Sequence, residues 1–311
     1  MKTDPMKRHV RLRDLDTLLA VVQAGGMRKA AQQLHLSQPA VSKAVLSLES
    51  ALGVSLLERG RRGVEPTKFG LALTQRTKAA FDELRQAVAD IEHLADPQGG
   101  ELRFGAMETM NAGVVGLAIE KMSRRYGRLK FHLQPGNSRH LVEHFLRERA
   151  IEFAVVRPAT VPLASGVSGE PLFVDRFLAV VGPDHRLAKR RRIALVDLVD
   201  EWWITSDPEA DASSPLGRAF QDAGLEMPTP RLRTDSINLR LRLLATGRWV
   251  TLMPRSVLRF MPSTGLVRPL PIELPTWEVP NMIVTNRDRA LSPLANTFIE
   301  TLREVAHAID R

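Results

Sequence analysis

Cysteine is absent from this 311-residue chain, which excludes a disulfide framework and any cysteine-based metal site. No apolar run approaches the roughly 20 residues needed to span a bilayer. The opening Met1-Lys2-Thr3-Asp4-Pro5-Met6-Lys7-Arg8-His9 lacks the apolar core of a signal peptide. A cytoplasmic protein with no membrane partner is therefore expected. Neither a glycine-rich phosphate loop nor a nucleophile elbow occurs, so ATPase and esterase readings have no support and no enzyme is expected. What the chain does have is a 44% hydrophobic content, enough for sizeable cores, and a length that suggests two or three compact units. Its net charge of +9 favours an acidic partner without identifying one.

Residues 26–67 carry the densest pattern. Leu15, Leu18, Leu19 and Val22 recur at i, i+3, i+4, i+7, the buried stripe of a first helix. Gly25-Gly26 ends it, because glycine accepts the left-handed conformation of a helix exit. Ala30, Ala31 and Leu34 continue into a second helix whose small residues permit a close crossing. Ser37 stands where an N-cap is wanted and Pro39 just inside the next helix. Ala40, Val41, Ala44, Val45 and Leu48 supply that third helix with a buried face, leaving Gln38, Ser42, Lys43 and Ser47 outward. Glutamine reads adenine through paired hydrogen bonds, and Ser and Lys suit phosphates or base edges. A three-helix core with a merely solvated polar face would share this spacing.

Charge separates the two readings. Residues 1–80 hold 14 Lys+Arg against 6 Asp+Glu, whereas residues 81–97 hold Arg85 alone against five acids. Positive charge is thus concentrated where phosphates would need neutralising. Arg59, Arg61 and Arg62 around Gly60 and Gly63 read as the tip of a basic wing lying along the backbone or in the minor groove. Double-stranded DNA is the expected partner.

The string Ala30-Ala31-x-x-Leu34-His35-Leu36-Ser37-Gln38-Pro39-Ala40-Val41-Ser42 is followed by Leu48-Glu49, Leu52-Gly53, Leu56-Leu57-x-Arg59 and Thr67-x-x-Gly70. Residues 12–74 thereby resemble the DNA-binding domain of the LysR-type transcriptional regulators. Arg62-Gly63-Val64-x-Pro66-Thr67-x-Phe69-Gly70 resembles, more weakly, the subgroup of the galactose-binding-protein regulator. Met27 departs from the family, which usually has Ser there; if that Ser caps the second helix, about 1 kcal/mol of capping is missing. Arg28 and Lys29 follow at once and offer charge in place of a hydroxyl contact to phosphate. The resemblance implies DNA contacts from Arg28, Lys29, Ser37, Gln38, Pro39, Ala40, Ser42, Lys43, Arg59, Arg61 and Arg62.

Residues 68–95 read as one long helix. Phe81, Leu84, Val88, Ile91 and Ala95 step 3, 4, 3, 4, the spacing of a coiled-coil seam. Asp96-Pro97-Gln98-Gly99-Gly100 terminates it. A surface helix packed on its own domain shares this pattern, but similarity to the family's linker helix favours dimerisation through Phe81, Leu84, Val88 and Ile91. Two recognition helices on one face of DNA would then read two half-sites.

From residue 101 the pattern alternates. Strands are expected at Leu102–Ala106, Lys130–Leu133, Glu152–Val156, Phe177–Val181, Trp202–Thr205, Trp249–Pro254 and Val279–Thr285. Helices are expected near 113–126, 138–149, 213–223, 240–245 and 293–309. Such alternation argues a mostly parallel sheet with ligand chemistry at strand carboxyl ends. Effector candidates are Thr109 and Asn111 after the first strand, and Asn137 and Ser138 after the second. Ser206 after Thr205, and Ser236 at a later helix start, complete the set, and the family resemblance implies that residues around Thr205 and Thr251 also face the effector; each is also a cap or turn residue in the bland reading. Glu108 is a further departure: it would repel a carboxylate effector or bind the hydroxyls of a sugar-like one.

His140-Leu141-Val142-Glu143-His144 matches the H-x-x-E-H pattern of one peptidase class, with both histidines on one helical face. Nothing downstream repeats the context of a third ligand, so a solvated helix face is the stronger reading and no metal is expected. Lys189-Arg190-Arg191-Arg192 reads as an exposed loop more than as a second nucleic-acid patch.

The expected architecture is an N-terminal all-α winged helix-turn-helix over 1–67, a linker helix over 68–97, and an α/β two-subdomain effector domain over 98–311 resembling periplasmic binding proteins. Its first subdomain would span about 101–175 and 276–311, its second about 176–275. The resemblance implies a regulator modulated by a small polar metabolite, an activator of a metabolic operon working as a dimer of dimers and contacting RNA polymerase. No cofactor other than the effector is expected. A ligand-independent repressor, or a small-molecule binding module without specific DNA readout, remains the alternative.

Overall fold

The computed structural model describes residues 10–60, 63–157, 166–260, 265–272 and 278–309. The chain divides into two compact units, Met1–Val88 and Ala89–Arg311.

The first unit opens with helices α1 (Leu12–Ala24), α2 (Met27–Gln33) and α3 (Gln38–Leu52). Gly25, at φ 67°, closes α1 by returning its N–H to the Val21 carbonyl. The turn between α2 and α3 passes through His35 in the left-handed region, φ 53°. Ser37 caps α3 by accepting from the Ala40 N–H at 3.3 Å, with Pro39 in the first turn. Leu18, Val21, Ala30, Val41, Val45, Leu48 and Leu56 form the buried core.

Two details differ from the sequence reading. Ala40 is exposed, not buried, because at the third residue of α3 it points away from the α1 and α2 contact that Val41 makes. Met27 is the first helical residue and Gly26 the N-cap. A serine at 27 would therefore not cap α2, and no capping energy is lost; Met27 packs on the core instead.

Strands β1 (Leu57–Gly60) and β2 (Gly63–Pro66) form an antiparallel ribbon with Gly60 opposite Gly63. Glu49 Oε1 accepts the N–H groups of Leu56 at 2.7 Å and Leu57 at 3.3 Å, so the carboxylate anchors the strand entry. The next helix, α4 (Lys68–Ala95), starts under tight constraint. Thr67 Oγ1 accepts the Gly70 N–H at 3.2 Å while donating to the Ser55 carbonyl at 2.7 Å. A Cβ on Gly70 would lie 2.0 Å from the Leu56 carbonyl oxygen. The spacing Thr67-x-x-Gly70 is thus a capping hydroxyl and a close backbone approach.

In the second unit a nine-stranded sheet has the order β4-β3-β5-β11-β6-β9-β7-β8, with β10 also on β6. Its strands are β3 (Gly99–Ala106), β4 (Arg128–Pro135), β5 (Phe153–Val156), β6 (Val167–Val181), β7 (Trp202–Thr205), β8 (Leu232–Arg233), β9 (Trp249–Pro254), β10 (Arg268–Pro269) and β11 (Glu278–Asn286). Strands β3, β4 and β5 are parallel, as are β9, β7 and β8. β6 joins the two sets: residues up to Arg176 pair with β11, and from Phe177 onward they pair with β9. The strand expected to begin at Phe177 is therefore the second half of one that starts ten residues earlier. Its polar first half, Ser168-Gly169-Glu170-Pro171, hides it from an apolar-run reading.

The helices are α5 (Glu108–Met110), α6 (Gly116–Arg125), α7 (Ser138–His140), α8 (Pro215–Asp222), α9 (Ile237–Leu244), α10 (Arg255–Phe260) and α11 (Pro293–His307). π-helical stretches, Asn111–Val115 and Leu141–Leu146, follow α5 and α7. α11 packs its buried Leu294, Phe298, Ile299 and Leu302 onto the first half-sheet beside Phe104 and Phe153. Trp203, Phe220, Leu198 and Val250 centre the second half. Among the described residues no helix is long and apolar enough to cross a membrane.

Candidate nucleic-acid interface and ligand cleft

The first unit presents an outer face built on a rigid helix start. Gln38, Pro39, Ala40, Lys43 and Ser47 of α3 are exposed, while Val41, Val45 and Leu48 hold the opposite face in the core. Ser42 is half-buried. Arg28 and Lys29 are exposed in the first turn of α2. Ser37 is exposed too, but its oxygen is committed to the cap. The ribbon is held to the α1 exit, where the Val64 N–H reaches the Gly25 carbonyl at 3.4 Å. Arg61 and Arg62 lie outside the described residues, as does the side chain of Arg59, whose backbone pairs with Val64. A capped helix with one face in a core and the other polar and cationic is suited to a major groove. On α4, Leu84, Val88 and Ile91 are exposed and Phe81 is half-buried.

In the second unit the carboxyl ends of the parallel strands converge. β3 leads to Thr109, β4 to Ser138, and β5 to Arg157, the first residue past the strand. Arg157 Nη2 donates to Thr109 Oγ1 at 3.0 Å, and its backbone N–H to Ser138 Oγ at 3.2 Å. The guanidinium lies 4.9 Å from the Phe177 ring centre. Burial pushes its pKa below the ordinary arginine value, opposed by the fields of Glu209 and Asp175. Asp175 is pushed upward by burial, against the two hydrogen bonds it receives from Ser256.

The facing wall comes from β7, β9 and α9. Arg240, 3% exposed, spends all five guanidinium hydrogens: on the Thr234 carbonyl twice, on Thr251 Oγ1, on the Leu252 carbonyl and on Glu209 Oε2 at 3.0 Å. Glu209 also accepts the Ser206 N–H at 2.7 Å. The Thr205 hydroxyl, at the end of β7, is buried and has no hydrogen-bond partner among the described residues. Arg157, Glu209 and Arg240 were not singled out in the sequence. Arg157 had a signal, as a charged residue directly after an apolar strand; Arg240 and Glu209 had none, since their pairing spans 31 residues.

Of the other sequence candidates, Asn137 and Ser236 have their side-chain oxygens taken by the His140 and Leu239 N–H groups. Thr251 is fully buried, with its hydroxyl donating to the Ile204 carbonyl at 2.8 Å and accepting from Arg240. In all three that oxygen makes a contact within the fold. Asn111 Nδ2 reaches the Ala106 carbonyl at 3.5 Å, and its Oδ1 is buried without a partner among the described residues. A separate cavity of about 210 Å³ lies between β6, β11 and α11, lined by Glu170, Thr285, Asn296 and Arg303 among others. It is remote from the strand ends, and Arg303 there already holds Glu170 and Glu300. The rings of His140 and His144 lie 4.9 Å apart, and Glu143 faces Arg139. Among the described residues no three metal-ligating side chains meet.

Comparison with known proteins agrees with this geometry. Residues 12–71 match the profile described as bacterial regulatory helix-turn-helix protein, lysR family, and residues 95–307 match the LysR substrate binding domain. The HTH-type transcriptional regulator GbpR of Azospirillum brasilense is 27% identical over 299 residues, covering 96% of this chain and 87% of that protein. Among solved structures, full-length CbnR complexed with its target DNA aligns at TM-score 0.62 and 20% identity, covering 95% of this chain and all (100%) of that one. Full-length LysG of Corynebacterium glutamicum with bound effector Arg aligns at TM-score 0.62 and 19% identity, covering 96% of this chain and 99% of that one.

Proposed function

The chain belongs to the LysR family of bacterial DNA-binding transcriptional regulators, and from that premise we propose that a small polar metabolite, bound where Arg157 faces the Glu209–Arg240 pair, sets its activity. The observation that carries this reading is Arg157, half-buried at the end of β5, with its guanidinium on Thr109 and over the Phe177 ring and its backbone N–H held by Ser138. A half-buried cation at a strand carboxyl end favours a ligand rich in oxygen. The unpartnered Thr205 hydroxyl supports a polar ligand further.

On the DNA side, Gln38, Pro39, Ala40, Ser42 and Lys43 read base edges, Arg28, Lys29 and Ser37 meet phosphates, and Arg59, Arg61 and Arg62 form the wing. Exposure of Gln38, Pro39, Ala40 and Lys43 on the α3 face supports the first group. Leu84, Val88 and Ile91, exposed in one chain, fit a seam closed by a second copy with Phe81 at its edge. The regulator then acts as a dimer or dimer of dimers in the cytoplasm, activating a metabolic operon through RNA polymerase. For ligand control, the metabolite must bind one arrangement of the assembly better than the other. The weaker local match to the galactose-binding-protein regulator subgroup suits a sugar-like metabolite.

A thermal-shift screen of the full chain against sugars, sugar phosphates, amino acids and aromatic carboxylates tests the reading. A ligand at a hundred times its Kd adds about 2.7 kcal/mol of stability, and the shift should vanish in Arg157→Gln. A shift that survives Arg157→Gln would place the ligand elsewhere, and no shift across the panel would remove the metabolite from the account.

A further inference from the structure

We propose that the end of the second half-sheet opposite the ligand cleft, where β7 and β9 begin, is a second contact for the phosphate backbone of double-stranded DNA, independent of the effector reading above. Lys189, Arg190, Arg191 and Arg192 are all exposed there. Their segment is not a loose tail. Buried Leu187 and Ile193 anchor it on either side in the core around Trp203. Arg190 Nη1 binds Asp197 Oδ1 at 3.0 Å, and Asp197 Oδ2 accepts the Ala194 N–H at 2.9 Å. Arg186 binds Glu201, the residue before β7. Arg190 and Arg186 thus consume Asp197 and Glu201, while Lys189, Arg191 and Arg192 have no carboxylate within 4.0 Å among the described residues.

A second pair of cations continues the surface. Trp202 and Trp249, the first residues of β7 and β9, stand in register with rings 5.3 Å apart edge to face. Arg231 lies 4.2 Å and Arg248 5.6 Å from the centre of the Trp202 ring, and neither makes an ion pair among the described residues. Gly247 packs on the Asp184 backbone, so Arg248 sits against the root of the basic segment. Five unneutralised cations therefore sit at this end of the unit, where the exposed acids are Asp184 and Asp200 beside the basic segment and Asp222 and Glu226 ahead of β8. Stacking on an indole fixes the plane of a guanidinium and leaves its edge donors outward, the geometry that suits phosphate oxygens. DNA is favoured over an acidic protein because the chain's other unit already holds a duplex, which raises the local phosphate concentration at any second cationic face.

The test measures binding of the full chain to a random-sequence duplex of about 60 base pairs across a salt series. Each phosphate contact contributes about 0.9 to the slope of log K against log salt. Lys189→Ala/Arg191→Ala/Arg192→Ala should flatten the slope by about 2 and weaken binding at low salt by about tenfold or more. Arg231→Ala/Arg248→Ala should flatten it by a further 1 or so. A control of equal charge change, Arg124→Ala/Arg139→Ala/Arg147→Ala, removes exposed arginines from the other half-sheet and should leave the slope unchanged. Equal flattening by the control would reduce the effect to net charge and overturn the proposal. So would an unchanged slope in the basic-segment variant, including the case where that variant instead loses a protein partner.

Discussion

Arg240 and Glu209 lock the wall of the cleft, and the lock has a measurable coupling. Arg240→Met removes a guanidinium whose five donors are all satisfied and leaves a carboxylate that is only 6% exposed. Breaking a buried pair from one side costs about 3–5 kcal/mol, because the remaining charge stays buried and uncompensated. Glu209→Gln is milder, since an amide oxygen can still accept from Ser206 and Arg240; about 1–3 kcal/mol is expected. Once either charge is gone, removing the other relieves the unpaired partner. The double variant should therefore be less destabilised than the two single losses together, by about 2 kcal/mol. All four tryptophans, at 202, 203, 249 and 277, lie in the second unit. Tryptophan fluorescence during urea unfolding consequently reports that unit alone, and 3 kcal/mol moves its midpoint by about 1 M or more. Additive losses within about 0.5 kcal/mol would refute the argument, because they would mean the two charges do not feel each other in a low-dielectric wall.

At the foot of the wing, Gly70→Ala drives a Cβ to 2.0 Å from the Leu56 carbonyl oxygen, which is already bonded to the Thr67 N–H at 2.9 Å. Overpacking against backbone should cost about 3 kcal/mol and lower DNA affinity while the tryptophan-detected transition stays in place; unchanged affinity and melting would show that the junction gives way freely. His185 is buried, its Nδ1 accepting the Leu187 N–H at 3.2 Å and its Nε2 3.3 Å from Glu201. Burial lowers its pKa below the ordinary 6.5, outweighing the opposing pull of Glu201. The unfolded chain then binds a proton before the folded one does, so this contribution is present above pH 6.5 and lost as pH falls through the lowered value. Stability of the second unit should drop on acidification below 6.5 less steeply in His185→Gln than in the parent, and identical pH profiles would dismiss the residue as a determinant.

Local chemistry made the first unit legible in one dimension. A cap at Ser37, a glycine exit at Gly25, a proline inside α3 and an apolar stripe all act within a few residues, and those interactions survive in any context. The misreadings there were equally local: Ala40 fell on the apolar list by composition, and Met27 was placed one residue out at the helix start. In the second unit, β7 and β9 were readable as apolar runs bounded by polar segments. The first half of β6 was not, because Ser168, Gly169, Glu170 and Pro171 look like a loop until β11 supplies their partners.

The sequence by itself determined the DNA-binding family, the helices that carry it and the alternation of strands and helices beyond, since each rests on residue spacing or on a motif contiguous in the chain. It also placed Thr109, Ser138 and Thr205 near strand ends. Only the tertiary structure decided what those ends meet. Arg157 reaches Thr109 across 48 residues, Ser256 reaches Asp175 across 81, and Arg240 takes both the Thr251 hydroxyl and the Glu209 carboxylate. Whether a buried polar group faces a ligand or satisfies a neighbour depends on which groups folding brings within about 3 Å of it, and no spacing in the chain records that distance.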